Sequence, residues 1–344
     1  MKRVFVRKVI VASSMCLFAV LLATWPTTIF SAPQDVVRLT YSLFFPAEHY
    51  QTRAAANWAA EIEKRAKGRV KIDLYAGETL TPAAQIYDGV VKGISDIGQS
   101  CLVYTTGRFP VMESVDLPLQ FRSSKQGSRV AWEVYKKFKP KEFNDTKLLY
   151  LFTSSPGKFQ TRKPVRRLED LKGLRIRCTG GNAPMVKSLG AIPVAMPMSE
   201  TYFALQRGVC DGTLCPYESL KAFRLGEVIK HTSEFNVYVT SFFVAMNLDR
   251  WKKLPADVQK IFEEVSEQWV EETGKAWDKE EEIGKKYSLG LGNQIIPLEE
   301  KEQALWIQRF RPIVDKYVAD KEAMKLPAKA IVSEIYKLKE KYNY

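Results

Sequence analysis

Residues 36–100 alternate two hydrophobic periods, and this alternation limits the fold more than any other feature of the chain. VVRLTYSLF (36–44) is β-branched and apolar and predicts a strand. A helix follows from Glu48 to Ala66, with Ala55, Trp58, Ile62 and Ala66 on one face and Gly68 as its stop. RVKIDLY (69–75) alternates strictly, placing Val70, Ile72 and Leu74 on one side of a second strand. Pro82 opens the next helix, whose apolar side is Ile86, Val90 and Val91 and whose end is Gly93. ISDIGQS (94–100) is a short strand running into a loop. A β-α-β-α-β rhythm of this kind requires parallel strands, because antiparallel neighbours need no helical crossover, and it puts helices on both faces of the sheet.

The rhythm pauses at GRFPVMESVDLPLQFR (107–122) and resumes with a helix over 124–138 and a strand at KLLYLFTS (147–154). RRLEDLKG forms a helical turn leading to a strand over Gly173–Cys178, and a helix follows Gly180-Gly181 and ends at Gly190. A compact helix over 199–208 has Ser199 as its N-cap and Gly208 at its end, and VCDGTLCP (209–216) is a strand with a turn. FNVYVTSFFVAMN (235–247) is too long for a typical strand of five or six residues and predicts one strand crossing between two lobes. Pro255 begins a helix that keeps its period through Val258, Phe262, Val265, Trp269 and Trp277, past residue 280, and two more helices near 298–318 and 328–342 close the chain. A length of 344 residues exceeds what a single small core organises. Without a low-complexity linker, the expectation is an α/β fold of two hinged lobes. Lobe I takes 33–159 plus 241–280, and lobe II takes 160–240 plus 281–344.

The N-terminus has the layout of a secretory signal over residues 1–32. Lys2, Arg3, Arg7 and Lys8 form a basic head, Val9–Ala23 is an apolar run shorter than a membrane span, and Ser31-Ala32 offers small residues for cleavage. The formal net charge is +13, and four of those charges sit in that head. The remaining Lys and Arg are scattered among Asp and Glu without zinc-finger or helix-turn-helix spacing, so a solvated basic surface is expected and nucleic acid is not. Cys101, Cys178, Cys210 and Cys215 form no CxxC pattern and read as buried free thiols. With His49 and His231 as the only histidines, a His-based metal site or a Ser-His-Asp triad has little to draw on. CTGGN lacks both the GxGxxG and the GxxxxGK[ST] spacing, and no GxSxG elbow occurs. Binding is therefore expected rather than catalysis, with no cofactor and no metal.

LKGLRIRCTGG (171–181) poses the central question of the sequence. Arg175 and Arg177 share one face of a strand, opposite Ile176 and Cys178, and a core strand does not ordinarily hold two guanidinium groups. Arg177 stands at the carboxyl end of its strand, where ligands of open α/β sheets bind, and the guanidinium fork matches a carboxylate. A protein carboxylate would satisfy it equally well, and residue type alone leaves both partners open.

DLKGLRIRCTGG followed by LGAIPVAMPMSETYFALQRGVCDG resembles the signature of the extracytoplasmic substrate-binding subunits of TRAP transporters, the dicarboxylate-receptor (DctP) type. GRFP (107–110) and NLDRWKKLP (247–255) before a long helix extend the resemblance over nearly all of the chain after the signal. It implies a two-lobe, periplasmic-binding-protein-like fold with crossing strands and a long bridging helix, closing on a small organic acid and delivering it to a membrane permease pair. It implies that Arg177 clamps the carboxylate and that Arg162, in FQTRKPV, assists. Cys215 stands where the family frequently has Asn, replacing a donor–acceptor amide with a weakly polar thiol. The remaining wall candidates are Phe45, Gln99, Ser100, Tyr104, Tyr217, Tyr238 and Phe242, an aromatic set with few polar groups. The implied protein is a periplasmic receptor, soluble after export, for a monocarboxylate, either a 2-oxo acid or an aromatic acid. A C4-dicarboxylate receptor, or a partner that presents its ligand to a sensor, is the alternative.

Overall fold

A computed structural model of the chain describes residues 36–343, so the expected export signal lies outside the described residues. The predicted alternation is present as β1 (Val37–Leu43), α1 (Tyr50–Arg65), β2 (Val70–Tyr75), α2 (Ile86–Val91) and β3 (Ile97–Cys101). Here β1 runs parallel to both β2 and β3. Helix α1 starts where it does because His49 Nδ1 accepts a hydrogen bond from the Gln51 main-chain N–H at 3.1 Å, satisfying one of the free donors of the first turn. Trp58 and Ile62 of that helix are fully buried against the sheet. Pro82 precedes a short 3₁₀ turn over Ala83–Gln85, and α2 begins only after it.

Helix α3 (Ser124–Phe138) and strands β4 (Thr146–Thr153), β5 (Gly157–Thr161) and β6 (Arg175–Cys178) follow, then α4 (Ala183–Ser188), β7 (Ile192–Ala195), α5 (Thr201–Gln206), β8 (Gly212–Cys215) and α6 (Glu218–Ala222). The long apolar run expected as one strand is two, β9 (His231–Tyr238) and β10 (Ser241–Asn247), separated at Val239-Thr240. They belong to different sheets. One sheet has the order β2-β1-β3-β10-β4, with β10 antiparallel to β3 and β4. After α7 (Leu248–Lys253) and α8 (Ala256–Gly290), β11 (Gln294–Pro297) completes the second sheet, of order β11-β9-β5-β8-β6-β7. The compact helix expected over 199–208 is shorter than its sequence signal. Met198–Glu200 is a 3₁₀ turn, and Ser199 lies inside that turn rather than at a cap.

The chain thus crosses between the sheets three times, at 154–156, at 239–240 and through α8, and the first two crossings hold each other. Ser154 N–H donates to the Thr240 carbonyl at 2.8 Å, and Thr240 N–H donates to Ser154 Oγ at 3.0 Å. Helix α8, 35 residues and about 52 Å long, spans both lobes. It packs on α1 and α3 at one end and on α6 at the other. Asp278 of α8 accepts from the first free N–H groups of α3, those of Ser124 at 2.6 Å and Lys125 at 2.9 Å. At the other end Gly284 lies so close to α6 that an added Cβ would stand 2.2 Å from the Tyr217 carbonyl oxygen. Helix α9 (Glu300–Ala323) covers the second sheet with Trp306 and Phe310. The sequence reading groups the closing helix α10 (Ala328–Lys341) with lobe II. In the structure it packs on α3 and buries Ile331 and Ile335 in the core of the first sheet.

Candidate functional site

The two arginines of β6 share a strand face but differ in environment. Arg175 is exposed at the start of the strand, where its Nε and Nη2 donate to the two carboxylate oxygens of Asp211 at 3.0 and 2.9 Å. Asp211 is held below its ordinary pKa by that fork. Arg177, two residues deeper and flanked by β7 and β8, is 1% exposed. Its Nε and Nη2 both donate to the Met196 carbonyl, at 3.1 and 2.7 Å. Among the described residues, no carboxylate lies within ion-pair distance of it. A buried guanidinium without an anion is costly to keep.

Arg177 lines a small cavity of about 40 Å³ at the crossing strands. Its walls are largely aromatic. Phe44 and Phe45 follow β1 with ring centroids 4.1 Å apart, Phe242 of β10 lies 5.7 Å from Phe45, and Trp277 of α8 lies 5.6 Å from Phe242. Tyr238 enters from β9 because Gly157 leaves room: a Cβ there would stand 2.3 Å from the Tyr238 ring. Tyr104, in the 3₁₀ turn after β3, bonds across the lobes and accepts from the Met198 main-chain N–H at 3.0 Å. Burial raises the phenols of Tyr104 and Tyr238 well above their ordinary range, and the charge of Arg177 opposes that rise in both. A cavity of 150 Å³ accepts benzene, so at about 40 Å³ this one is smaller than a ring-bearing guest needs. A larger open groove of about 1060 Å³ runs alongside, between the segment 102–117, α4 and α9, but Arg177 does not line it.

Of the candidates named from sequence, Arg177, Tyr104, Phe45, Tyr238 and Phe242 come together in this cavity. The others lie elsewhere. Arg162 follows β5 at the end of the sheet far from the cavity, where its main-chain N–H donates to the Asp211 carbonyl at 3.1 Å. Gln99 faces Tyr41, whose hydroxyl donates to its Oε1, and Ser100 Oγ donates to the Ala83 carbonyl. Tyr217 donates to Glu234 and carries Lys158 and Lys285 over its ring. Cys215 is buried directly before Pro216, which does line the cavity, and burial pushes its thiol up to about 12. Cys101 lines the cavity, and all four described cysteines are free and buried.

Sequence reasoning missed Thr179, Glu218, Phe223 and Trp277, which also line the wall. Thr179 Oγ1 and Trp277 Nε1 are buried without a hydrogen-bond partner among the described residues. Glu218, 3% exposed, has its Oε1 bonded by Ser219 Oγ at 2.5 Å, while its Oε2 faces His49 Nε2 at 3.5 Å, and the buried Tyr50 hydroxyl interacts with the same carboxylate. Tyr217-Glu218 follows the strand VCDGTLC after Pro216, a place in the sequence that could have flagged it.

Comparison with known proteins supplies the family. Residues 41–321 match the model of the bacterial extracellular solute-binding proteins, family 7. A solute-binding protein of Albidiferax ferrireducens is 32% identical over 192 residues, a stretch that spans 53% of this chain and 54% of that protein. A TRAP periplasmic solute-binding protein from Desulfovibrio salexigens is 34% identical, with a TM-score of 0.81 covering 89% of this chain and 96% of that one. A TRAP solute-binding protein from Rhodoferax ferrireducens, solved with copurified benzoate, is 27% identical, with a TM-score of 0.86 covering 90% and 99%. The two-sheet fold is thus shared with these TRAP proteins over most of the chain, and the chain belongs to family 7 of the bacterial extracellular solute-binding proteins, the DctP family of TRAP receptors.

Proposed function

We propose that this receptor binds an aromatic monocarboxylate at the cavity beside the crossing strands, with the carboxylate on Arg177. The observation that carries this reading is Arg177 itself. It is a buried guanidinium with no carboxylate of the protein within ion-pair distance, on the wall of a cavity that also presents seven aromatic rings. The Met196 carbonyl takes one side of the guanidinium fork, and a ligand carboxylate would take the rest, with the unpartnered Thr179 hydroxyl as an additional donor. Aromatic walls favour a ring over an aliphatic chain of equal length, through contact area and edge-to-face geometry. The benzoate found with the Rhodoferax protein supports the same class of ligand.

Residues of both lobes line the cavity, so a bound acid would favour the closed form, since a ligand shifts an equilibrium only through differential contacts. The closed receptor then delivers its acid to a membrane permease from the periplasmic side of an export signal. Titration calorimetry on purified protein freed of co-purified acid tests the ligand class. Benzoate and phenylacetate bind, while benzamide and succinate do not; binding of benzamide as tight as benzoate would sink the carboxylate clamp.

A further inference from the structure

We infer that Tyr104 is a positioning residue that latches the two lobes through Met198, so that its hydroxyl holds the receptor shut rather than touching the acid. The inference rests on the reading of the cavity as the acid's site.

Tyr104 ends the 3₁₀ turn Leu102–Tyr104 that follows β3 of the first sheet, and Met198 follows β7 of the second. The Met198 N–H is a free donor at the start of its own turn, and Pro197 before it gives no side-chain cap. The cap comes from the other lobe: the Tyr104 hydroxyl accepts that N–H at 3.0 Å. The Cys101 thiol interacts with the same hydroxyl. The phenol is therefore engaged within the protein before any acid arrives. Two residues before Met198, the Met196 carbonyl holds Nε and Nη2 of Arg177. The segment between is fixed at its polar groups. Met196 N–H donates to the Cys178 carbonyl at 3.1 Å, the Pro197 carbonyl accepts from Glu200 N–H at 3.3 Å, and the proline has no N–H to satisfy. A hold on Met198 is thus a hold on the support of Arg177.

Gly180 and Gly181, which follow the strand of Arg177, let the Tyr104 turn approach. Neither is among the glycines with positive φ, so what they supply is space. A Cβ on Gly181 would stand 3.2 Å from Val103 Cγ1, the residue before Tyr104, and one on Gly180 would stand 3.4 Å from Thr106 Oγ1. On its own lobe the Tyr104 ring is braced edge-on by Phe44, with centroids 5.6 Å apart. When the lobes part, Tyr104 and Met198 each return to water, so the bond favours the closed form alone. Acid enters the open form and leaves by reopening. A bond made only on closure therefore slows release and does not affect entry.

The test is stopped-flow binding of benzoate to purified, acid-free protein, followed by tryptophan fluorescence. Tyr104→Phe keeps the ring and deletes the acceptor. Met198→Pro deletes the donor, and Pro197, at φ −59° and ψ 160°, already has the extended backbone that a following proline requires. Each variant is expected to release benzoate about 3- to 10-fold faster, with association within about twofold of the parent. The double variant is expected to release it no faster than either single one, because both remove the same bond. An unchanged release rate in Tyr104→Phe, or effects that multiply in the double variant, overturns the latch and leaves the carboxylate reading standing. If Met198→Pro does not fold, hydrogen exchange of the Met198 amide takes its place. It is expected to be several-fold faster in Tyr104→Phe than in the parent, and equal exchange overturns the latch. Failure of benzoate to bind the parent removes the benzoate reading, and the amide exchange then decides the latch by itself.

Discussion

Arg177 gives two of its guanidinium N–H groups to one main-chain oxygen, that of Met196, at 3.1 and 2.7 Å. The carbonyl sets the plane of the fork without neutralising its charge. The side chain is thereby oriented and left with its charge uncompensated, the state that a ligand anion would complete.

Arg177→Ala is expected to weaken binding of benzoate at least about 100-fold, the scale of a lost charge-assisted, bidentate contact in a dry site. Arg177→Lys keeps the charge but not the planar fork and should recover only a small part of that loss. Calorimetry on acid-free protein reads both, and a lysine variant that binds like the parent would show that charge alone suffices.

Arg162→Ala is expected to leave acid affinity within about twofold of the parent. Its main chain is bonded to Asp211, and its guanidinium neighbours Gly208 at the far end of the sheet. A loss comparable to that of Arg177→Ala would bring Arg162 back to the ligand. The same titration decides.

Asp116 ties the hinge, accepting from the Ser241 main-chain N–H at 2.8 Å while its Oδ2 has no partner among the described residues. Burial pushes its carboxyl from 3.8 up to about 7. A raised carboxyl pKa means that the folded state holds the proton more tightly than the unfolded chain. The contribution is therefore fully present below about pH 4 and lost as pH rises through 7, on the order of 4 kcal/mol in all. Asp116→Asn keeps the acceptor and removes the ionisation. Its melting temperature relative to the parent should rise between pH 5 and pH 8; parallel curves would show that Asp116 does not titrate with folding.

Gly284→Ala should destabilise the fold by about 1–3 kcal/mol, because a Cβ there meets the Tyr217 carbonyl and the Glu218 main chain at the packing of α8 on α6. Chemical denaturation measures it. A neutral result would mean that α8 can shift away from α6, contrary to the close packing at Gly284.

The sequence by itself determined the class of fold. Period-2 and period-3.6 patterns give the parallel start of the first sheet and the long helix, since both arise from local geometry that each segment imposes on its own side chains. It also marked Arg177, because a guanidinium in an apolar strand is conspicuous without any knowledge of neighbours. The tertiary structure decided what lay beyond local reach. Periodicity reads 235–247 as one strand, as FNVYVTSFFVAMN is a continuous run rich in apolar and β-branched residues with no Gly or Pro, and only the pairing of β9 and β10 to different sheets separates them. Arg175 and Arg177 are indistinguishable by type and spacing; Asp211, 36 residues from Arg175, claims one and leaves the other. Glu218 and Trp277 read as an ordinary helix start and a core aromatic. They become parts of a site only when α6 and α8, 59 residues apart at those positions, pack around one cavity. Long-range packing fixes which polar groups lose water and which keep a partner, and that accounting has no local signature.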